Sequence, residues 1–392
     1  MQVAGPPAGQ EAMSGYPIPL QQVPRRPRRW VVEMILLIVG SLAMALMFAY
    51  FAYNAGLNST IAMTVLALIP LLIVILTVLW IDRWEPEPRT LLLGSFLWGG
   101  GVAVWLSMFM NEGVGNALNN VFGAGLNAEG AAAVFGAPFV EEFWKGLGLL
   151  VIFLFRRRHF NGPVDGVVYA SMIAAGFAFM ENVLYFLGNA ETVGMVFLLR
   201  GIASPFGHLI YTAAIGLALG WASRRSGPAW LVAMPIGYLI AVGLHMAWNG
   251  FATIGGESFQ NPLVHLLTQF ALLNWLPLTI FAVLVIWLRR VEITVLRDRL
   301  REYVPSGWFG EYEIAMLTSL PQRRQARQWA QRTGGPKAGA QMKEFQTAAT
   351  ALAYARQDLH SGHSNIRARQ DEATLLLRVG ASRANFRALT GT

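Results

Sequence analysis

Between Trp30 and Trp287 the chain strings together apolar runs, each about the length of a membrane-crossing helix, separated by short polar breaks. A helical crossing takes about 20 largely apolar residues. Runs near 31–53, 59–81, 90–110, 131–155, 164–187, 205–222, 229–254 and 262–288 satisfy that length and predict eight spans. Composition agrees: 55% of the 392 residues are hydrophobic and 13% charged, and the mean hydropathy is +0.45. The fold class expected is therefore all-α, a polytopic membrane helix bundle of about eight helices with a small helical tail.

Charge sets the expected orientation. Arg83 and Arg89, Arg156 to Arg158, Arg224 and Arg225, and Arg289 and Arg290 fall in loops on one side, whereas the opposite loops hold Arg200 alone. The positive-inside rule then places both termini in the cytoplasm, with Arg25, Arg26, Arg28 and Arg29 holding the N-terminus there. Residues 1–29, rich in Pro, Gly and Gln, are expected to be a disordered leader. Residues 30–290 should form the membrane domain and 291–392 a cytoplasmic tail, with helical spacing at Met342, Phe345, Ala349, Leu352 and Ala355 and a second helix through Leu375 to Leu377. The apolar stretch 191–204 is too short to cross and stops at Pro205, which suits a re-entrant or interfacial piece.

The net charge of +8 does not point to nucleic acid, because 17 of the 30 basic residues lie from Arg289 onward and most others flank apolar runs. The bilayer is the partner that explains them. With no cysteine, disulfides, thiol catalysis and thiolate-ligated metals are excluded, which leaves His, Asp and Glu as ligands. Oligomeric state is not read from these residues.

Charged groups inside a span cost about 2.5–3.5 kcal/mol each on insertion scales and usually mark function. The fourth span carries Glu141, Glu142 and Lys145, the fifth Glu181 and Asn182, the sixth His208, and the seventh His245 and Asn249. At ~1.5 Å per residue, Glu141 and His208 lie ~21 Å from the cytoplasmic ends of their helices, His245 ~24 Å and Glu181 ~26 Å. Four titratable side chains on four helices thus share one layer, nearer the outer face. Lys145 stands i+4 from Glu141 and i+3 from Glu142, so its ammonium reaches either carboxylate, and His245 and Asn249 share a face.

The string Glu141-Glu142-Phe143-Trp144-Lys145 resembles the EExxK motif of PrsW-type intramembrane proteases. Phe177 to Asn182 contains an FxxxEN pattern, with Asp165 and Tyr169 upstream. His208 opens a helix, His245 to Asn249 is similar to HxxWN, and Asp82 to Pro88 is similar to the family's acidic proline-containing loop, with Trp84 where Tyr is more usual. The resemblance spans roughly residues 30–290 and leaves the tail outside. It implies membership of the wider group that includes CAAX prenyl endoproteases, an active site of paired glutamates and helix-borne histidines, a bacterial plasma-membrane location, and a membrane-anchored protein substrate such as an anti-sigma-factor-like regulator.

The expected chemistry is peptide hydrolysis. Glu141 is the candidate general base, with Glu142 sharing that role or ligating a metal and Lys145 holding the second carboxylate. His208, His245 and Glu181 supply the two-His, one-carboxylate set that catalytic zinc accepts, and zinc is the only cofactor expected. Asn249 and the histidines could instead donate to an oxyanion, while Asn182 and Asp165 play supporting parts. A lone intramembrane His or Asn more often bridges helices, but two adjacent carboxylates in one span seldom serve structure alone. A proton- or ion-coupled transporter and a non-catalytic scaffold stay open as readings of the same layer. Arg200, His159, His265 and Glu33 are read as interfacial or span-end residues.

Overall fold

A computed structural model describes residues 31–225, 227–254, 261–361 and 366–392. The leader with its arginines lies outside these. The described residues through Ile286 form one compact unit and Trp287–Thr392 another. No strand occurs among them.

The first unit is built from α1 (Val31–Ala55), α2 (Leu57–Ile81), α3 (Arg89–Phe122), α4 (Ala128–Ala131, continuing through Ala132–Gly136 into Ala137–Phe155) and α5 (Pro163–Gly188). Then come α6 (Val193–Val196, extended by Phe197–Ala203), α7 (Gly207–Ser223), α8 (Trp230–Ile254) and α9 (Pro262–Phe270, Ala271–Trp275 and Leu276–Arg301). Seven helical stretches among the described residues are long and apolar enough to cross a membrane. These are α1, α2, α3, α5, α6 with α7, α8 and α9, so the protein is a polytopic helical membrane protein. Helix α4 is of comparable length, and its departure from that group traces to Glu141, Glu142 and Lys145, all three of them buried.

The third span runs further than its apolar stretch, continuing helically from 110 to Phe122 before Gly123 ends it in the left-handed region (φ 63°). This places Asn111, outside the predicted span, within the helix. The stretch 191–204 forms α6, with π-helical backbone over Phe197–Ala203; Pro205, lacking an amide hydrogen, follows immediately.

Helix α5 is the hub, buried along most of its length and packed against α2, α3 and α7. Small residues permit that approach. A Cβ on Gly166 would lie 2.0 Å from the Gly216 carbonyl oxygen and one on Gly216 2.2 Å from that of Gly166, so α5 and α7 touch backbone to backbone. On the other side, α3 and α4 meet where a Cβ on Gly136 would fall 1.9 Å from the Asn111 oxygen. Trp98 Nε1 donates to the Trp144 carbonyl at 2.9 Å and fixes their register.

The second unit holds the end of α9, then α10 (Glu311–Leu317), α11 (Leu320–His360) and α12 (Ile366–Thr390). Met342, Phe345, Ala349 and Leu352 are buried as their spacing predicts, around a core with Leu317, Leu376 and Phe386. Leu296 and Leu300 of α9 belong to this core, so its apolar packing begins within α9. Gly335 (φ 77°) breaks α11, and Gln346 Nε2 donates to the Arg323 carbonyl at 3.0 Å, so the two arms fold into an antiparallel hairpin.

Candidate active site

The expected layer assembles. Glu141 and Glu142 from α4, Glu181 from α5, His208 from α7 and His245 from α8 converge around the Lys145 ammonium. Lys145 and Glu142 are fully buried, with Lys145 Nζ 4.1 Å from the centroid of the Phe177 ring.

The two adjacent glutamates have different surroundings. Glu142 Oε1 accepts from Lys145 Nζ at 2.7 Å and lies 3.2 Å from His245 Nδ1, and its Oε2 accepts from Thr212 Oγ1 at 2.8 Å. Both oxygens are therefore engaged. Glu141 Oε1 accepts from Asn111 Nδ2 at 3.2 Å, whereas Oε2 stands 3.7 Å from Lys145 Nζ with no hydrogen-bond partner among the described residues. A buried carboxylate oxygen left free beside a cation is poised for another ligand.

The neighbours assign the histidine tautomers. Lysine only donates, so the Lys145 contact at 3.1 Å makes His208 Nδ1 the acceptor and leaves Nε2–H to donate to Glu181 Oε2 at 2.7 Å. Glu142 only accepts as a carboxylate, so His245 Nδ1–H donates to it and Nε2 carries the lone pair. The rings meet edge to face at 5.2 Å, and Tyr211 stacks on His245 at 4.9 Å.

One ligand atom each from Glu141, His208 and His245 lies within 4.8 Å of the others. A carboxylate with two imidazoles suits zinc, and the unpartnered Glu141 oxygen and the His245 lone pair fit a cation between them. The acidic member differs from the sequence expectation, which paired the histidines with Glu181. That carboxylate is instead taken by the Arg200 guanidinium and by His208. Arg200, read as interfacial, also donates from Nε to Asn182 Oδ1 at 3.0 Å and lies over the Tyr185 ring at 4.0 Å.

Asn249 shares a face with His245 but donates to the Ala133 carbonyl at 2.8 Å, in the π-helical turn leading into the glutamates. Asp165 lies apart, ~24 Å along α5 from Glu181 at 1.5 Å per residue. It caps α5 by accepting from the Asn161 and Gly162 amides at 2.6 and 3.1 Å. Near it, Asp82 accepts twice from the Glu87 amide at 3.1 Å, and Glu87 accepts from the Tyr169 hydroxyl. Burial pushes the Asp82 carboxyl up to about 7 and raises Glu87 well above the usual carboxylate range, with the Asp165 charge adding to both.

Sequence reasoning missed Asn111 and Arg200. A lone Asn just past an apolar run gave little signal, but Arg200, alone among basic residues in its set of loops, was already an exception.

Fold and site together define a helical membrane protein whose spanning helices enclose a Glu, His and Lys cluster. Residues 87–276 match the PrsW family of intramembrane metalloproteases. The chain is 31% identical over 141 residues to a protein from Geobacillus kaustophilus called Protease PrsW, covering 36% of this chain and 57% of the relative. Proteins of the same name from Oceanobacillus iheyensis (27% over 192 residues; 48% and 80%) and Bacillus subtilis (25% over 194; 50% and 82%) are also similar. The chain thus spans a little over half of the first relative and about four-fifths of the others. No solved structure matches.

Proposed function

We propose that this chain is an intramembrane protease hydrolysing a peptide bond of a membrane-anchored protein, and that Glu141, His208 and His245 are its reactive groups. The observation that carries the reading is the contrast between the two glutamates: Glu142 is saturated by Lys145, His245 and Thr212, while Glu141 keeps a buried oxygen free beside the histidines. Neither bilayer packing nor helix register needs such an oxygen.

In this reading Glu141 takes a proton from the attacking water and returns it to the leaving amine, with Asn111 fixing the carboxylate. Lys145, anchored by Glu142 and His208, places positive charge beside the developing oxyanion. Glu142 orients His245 and Glu181 orients His208 through the ring nitrogens that donate to them. Zinc, where bound, would be held by Glu141, the His245 Nε2 lone pair and His208 Nδ1, which Lys145 would then have to release, and it would supply the water activation and carbonyl polarisation in place of proton transfer by Glu141. Asn249 acts through the α4 backbone, and Asp165 serves the α5 cap.

The substrate class is a single-span protein cut near the outer face, of which anti-sigma-factor-like regulators are examples. The location is a bacterial plasma membrane with both termini and the tail cytoplasmic. Among the described residues, π-helical stretches interrupt four helices of the membrane unit, at Trp98–Ala103, Ala132–Gly136, Phe197–Ala203 and Ala271–Trp275. Such broken helices would also suit an ion-coupled transporter. The discriminating experiment incubates purified protein with single-span substrates in detergent and in liposomes, measuring both cleavage and proton or ion flux. Cleavage lost in Glu141→Gln supports the protease; flux without cleavage rejects it.

A further inference from the structure

The tail carries a basic groove that the hydrolytic site does not use. The Gly335 break folds α11 back on itself, and the arms approach closely enough that a Cβ on Gly339 would meet the Gln331 Cβ at 3.0 Å. Beside this contact opens a groove of about 390 Å³ lined by Arg324, Arg327, Gln328 and Gln331 from one arm and Gly339 and Lys343 from the other. No acidic side chain lines it.

Charge in this unit is segregated. Glu302 pairs with Arg299 and Arg356, Glu311 with Arg301, Glu313 with Arg383, Glu344 with Arg378 and Glu372 with Arg356. Arg324, Arg327 and Lys343 form no ion pair among the described residues, and all three line the groove. Two guanidiniums offer forked donors to phosphate oxygens, the lysine adds a point charge, and Gln328 and Gln331 supply amide donors.

We propose that this groove binds the phosphate of an anionic phospholipid headgroup. Connectivity selects the lipid: the unit continues directly from α9, whose Leu276–Trp287 stretch lies in a membrane-crossing helix, so the groove is tethered near a bilayer. A basic residue near an anionic surface gains on the order of fivefold in association, so three together favour that surface strongly over a neutral one. The inference goes beyond the proposed proteolysis and stands independently of it.

Lys337 supplies an internal control, since it is exposed on the same arm as Lys343 but does not line the groove. The full chain is reconstituted in nanodiscs of phosphatidylcholine alone or mixed with phosphatidylglycerol, and amine acetylation at both lysines is followed by mass spectrometry. Lys343 is expected to react at least fivefold more slowly in the anionic discs and to recover at about 1 M salt, where screening shortens to ~3 Å. Lys337 should change little. Arg324→Gln with Arg327→Gln should abolish the protection while preserving the thermal melt; if the pair unfolds, Arg324→Gln alone should weaken it severalfold. Equal Lys343 rates in the two discs, or equal slowing of both lysines, would overturn the proposal. Protection by inorganic phosphate in neutral discs, with none added by the anionic lipid, would overturn the lipid assignment in favour of a soluble phosphate ester.

Discussion

Arg200 and Glu181 form an ion pair between α6 and α5, and the same Glu181 oxygen accepts from His208. A residue from a short, exposed segment thereby reaches the inner ring of the cluster. Its guanidinium spans Glu181 and Asn182, so it fixes the carboxylate that in turn fixes the imidazole.

Removing that cation should therefore disturb both stability and the site. Arg200→Ala leaves Glu181 without its charge partner, and a destabilisation of about 1–3 kcal/mol is expected. Cleavage should fall more than tenfold. Arg200→Lys keeps the charge but loses the forked geometry, so it should fall between. Thermal melts in detergent with parallel cleavage assays measure both effects, and an Arg200→Ala protein indistinguishable from wild type in each would refute this role.

Asn249 and His245 should separate in their effects although they share a helical face. Asn249→Ala releases the Ala133 carbonyl, costing about 0.5–1.5 kcal/mol, and should lower turnover less than tenfold. His245→Ala removes a group in contact with Glu142 and near Glu141, and should lower turnover at least a hundredfold. Equal losses in two folded variants would place Asn249 at the reacting atoms instead.

Much of this arrangement was legible in the residues. Apolar runs bounded the spans because lipid imposes a fixed length on each, and counting residues along helices brought Glu141, Glu181, His208 and His245 to one depth. Which oxygen stays free was not legible. It depends on partners set by helix rotation and backbone approach: Thr212 reaching Glu142, Asn111 reaching Glu141, and Gly166 against Gly216 bringing α7 to α5. Arg200 escaped because its segment is too short and irregular for periodicity to locate its side chain. In the tail, helical spacing identified Met342, Phe345 and Leu352, but not Leu296 and Leu300 as members of the same core.

That shared core decides where the tail can be removed. Cutting near Gly307 would strand Leu296 and Leu300, which pack with Phe345 and its neighbours. Truncation just before Leu296 is expected to preserve cleavage, and truncation at Gly307 to lower solubility by exposing that apolar face. Size-exclusion profiles and cleavage rates of the two proteins check this, and inactive but monodisperse protein from the shorter chain would show that catalysis requires the tail.

The loop carboxylates predict a pH dependence of stability separate from catalysis. Burial raises the Asp82 carboxyl from 3.8 to about 7, so between those values the folded chain keeps a proton that the unfolded chain has lost. Stability from this group therefore falls as pH rises from about 4 to 7 and levels above it. Glu302 acts in the opposite sense: its arginine partners overcome its burial and hold its carboxyl at about 2, so its contribution is present above the usual carboxylate range and is lost as pH falls through about 2. Melting curves of Asp82→Asn should show a weaker decline between pH 4 and 7 than wild type. An unchanged slope would exclude Asp82 as its source.

The sharpest test lies in the two adjacent glutamates, because their surroundings predict different failures. Glu141→Gln preserves shape and disturbs a group whose partners are Asn111 and a Lys145 ammonium 3.7 Å away, so the variant should fold and melt close to wild type. It lacks the basic oxygen, and turnover should drop 10²–10⁴-fold, the usual worth of general-base catalysis. Glu142→Gln removes the charge that compensates a fully buried ammonium, and breaking such a pair typically costs about 3–5 kcal/mol. Its primary defect should therefore be a lowered melting temperature. If zinc is resident, His208→Ala and His245→Ala should lower its stoichiometry by elemental analysis along with activity. His159→Ala and His265→Ala, altered away from the cluster, should change cleavage little. Folded Glu141→Gln protein that cleaves a single-span substrate at the wild-type rate would eliminate Glu141 as the base and, with it, the chemistry assigned to the free oxygen.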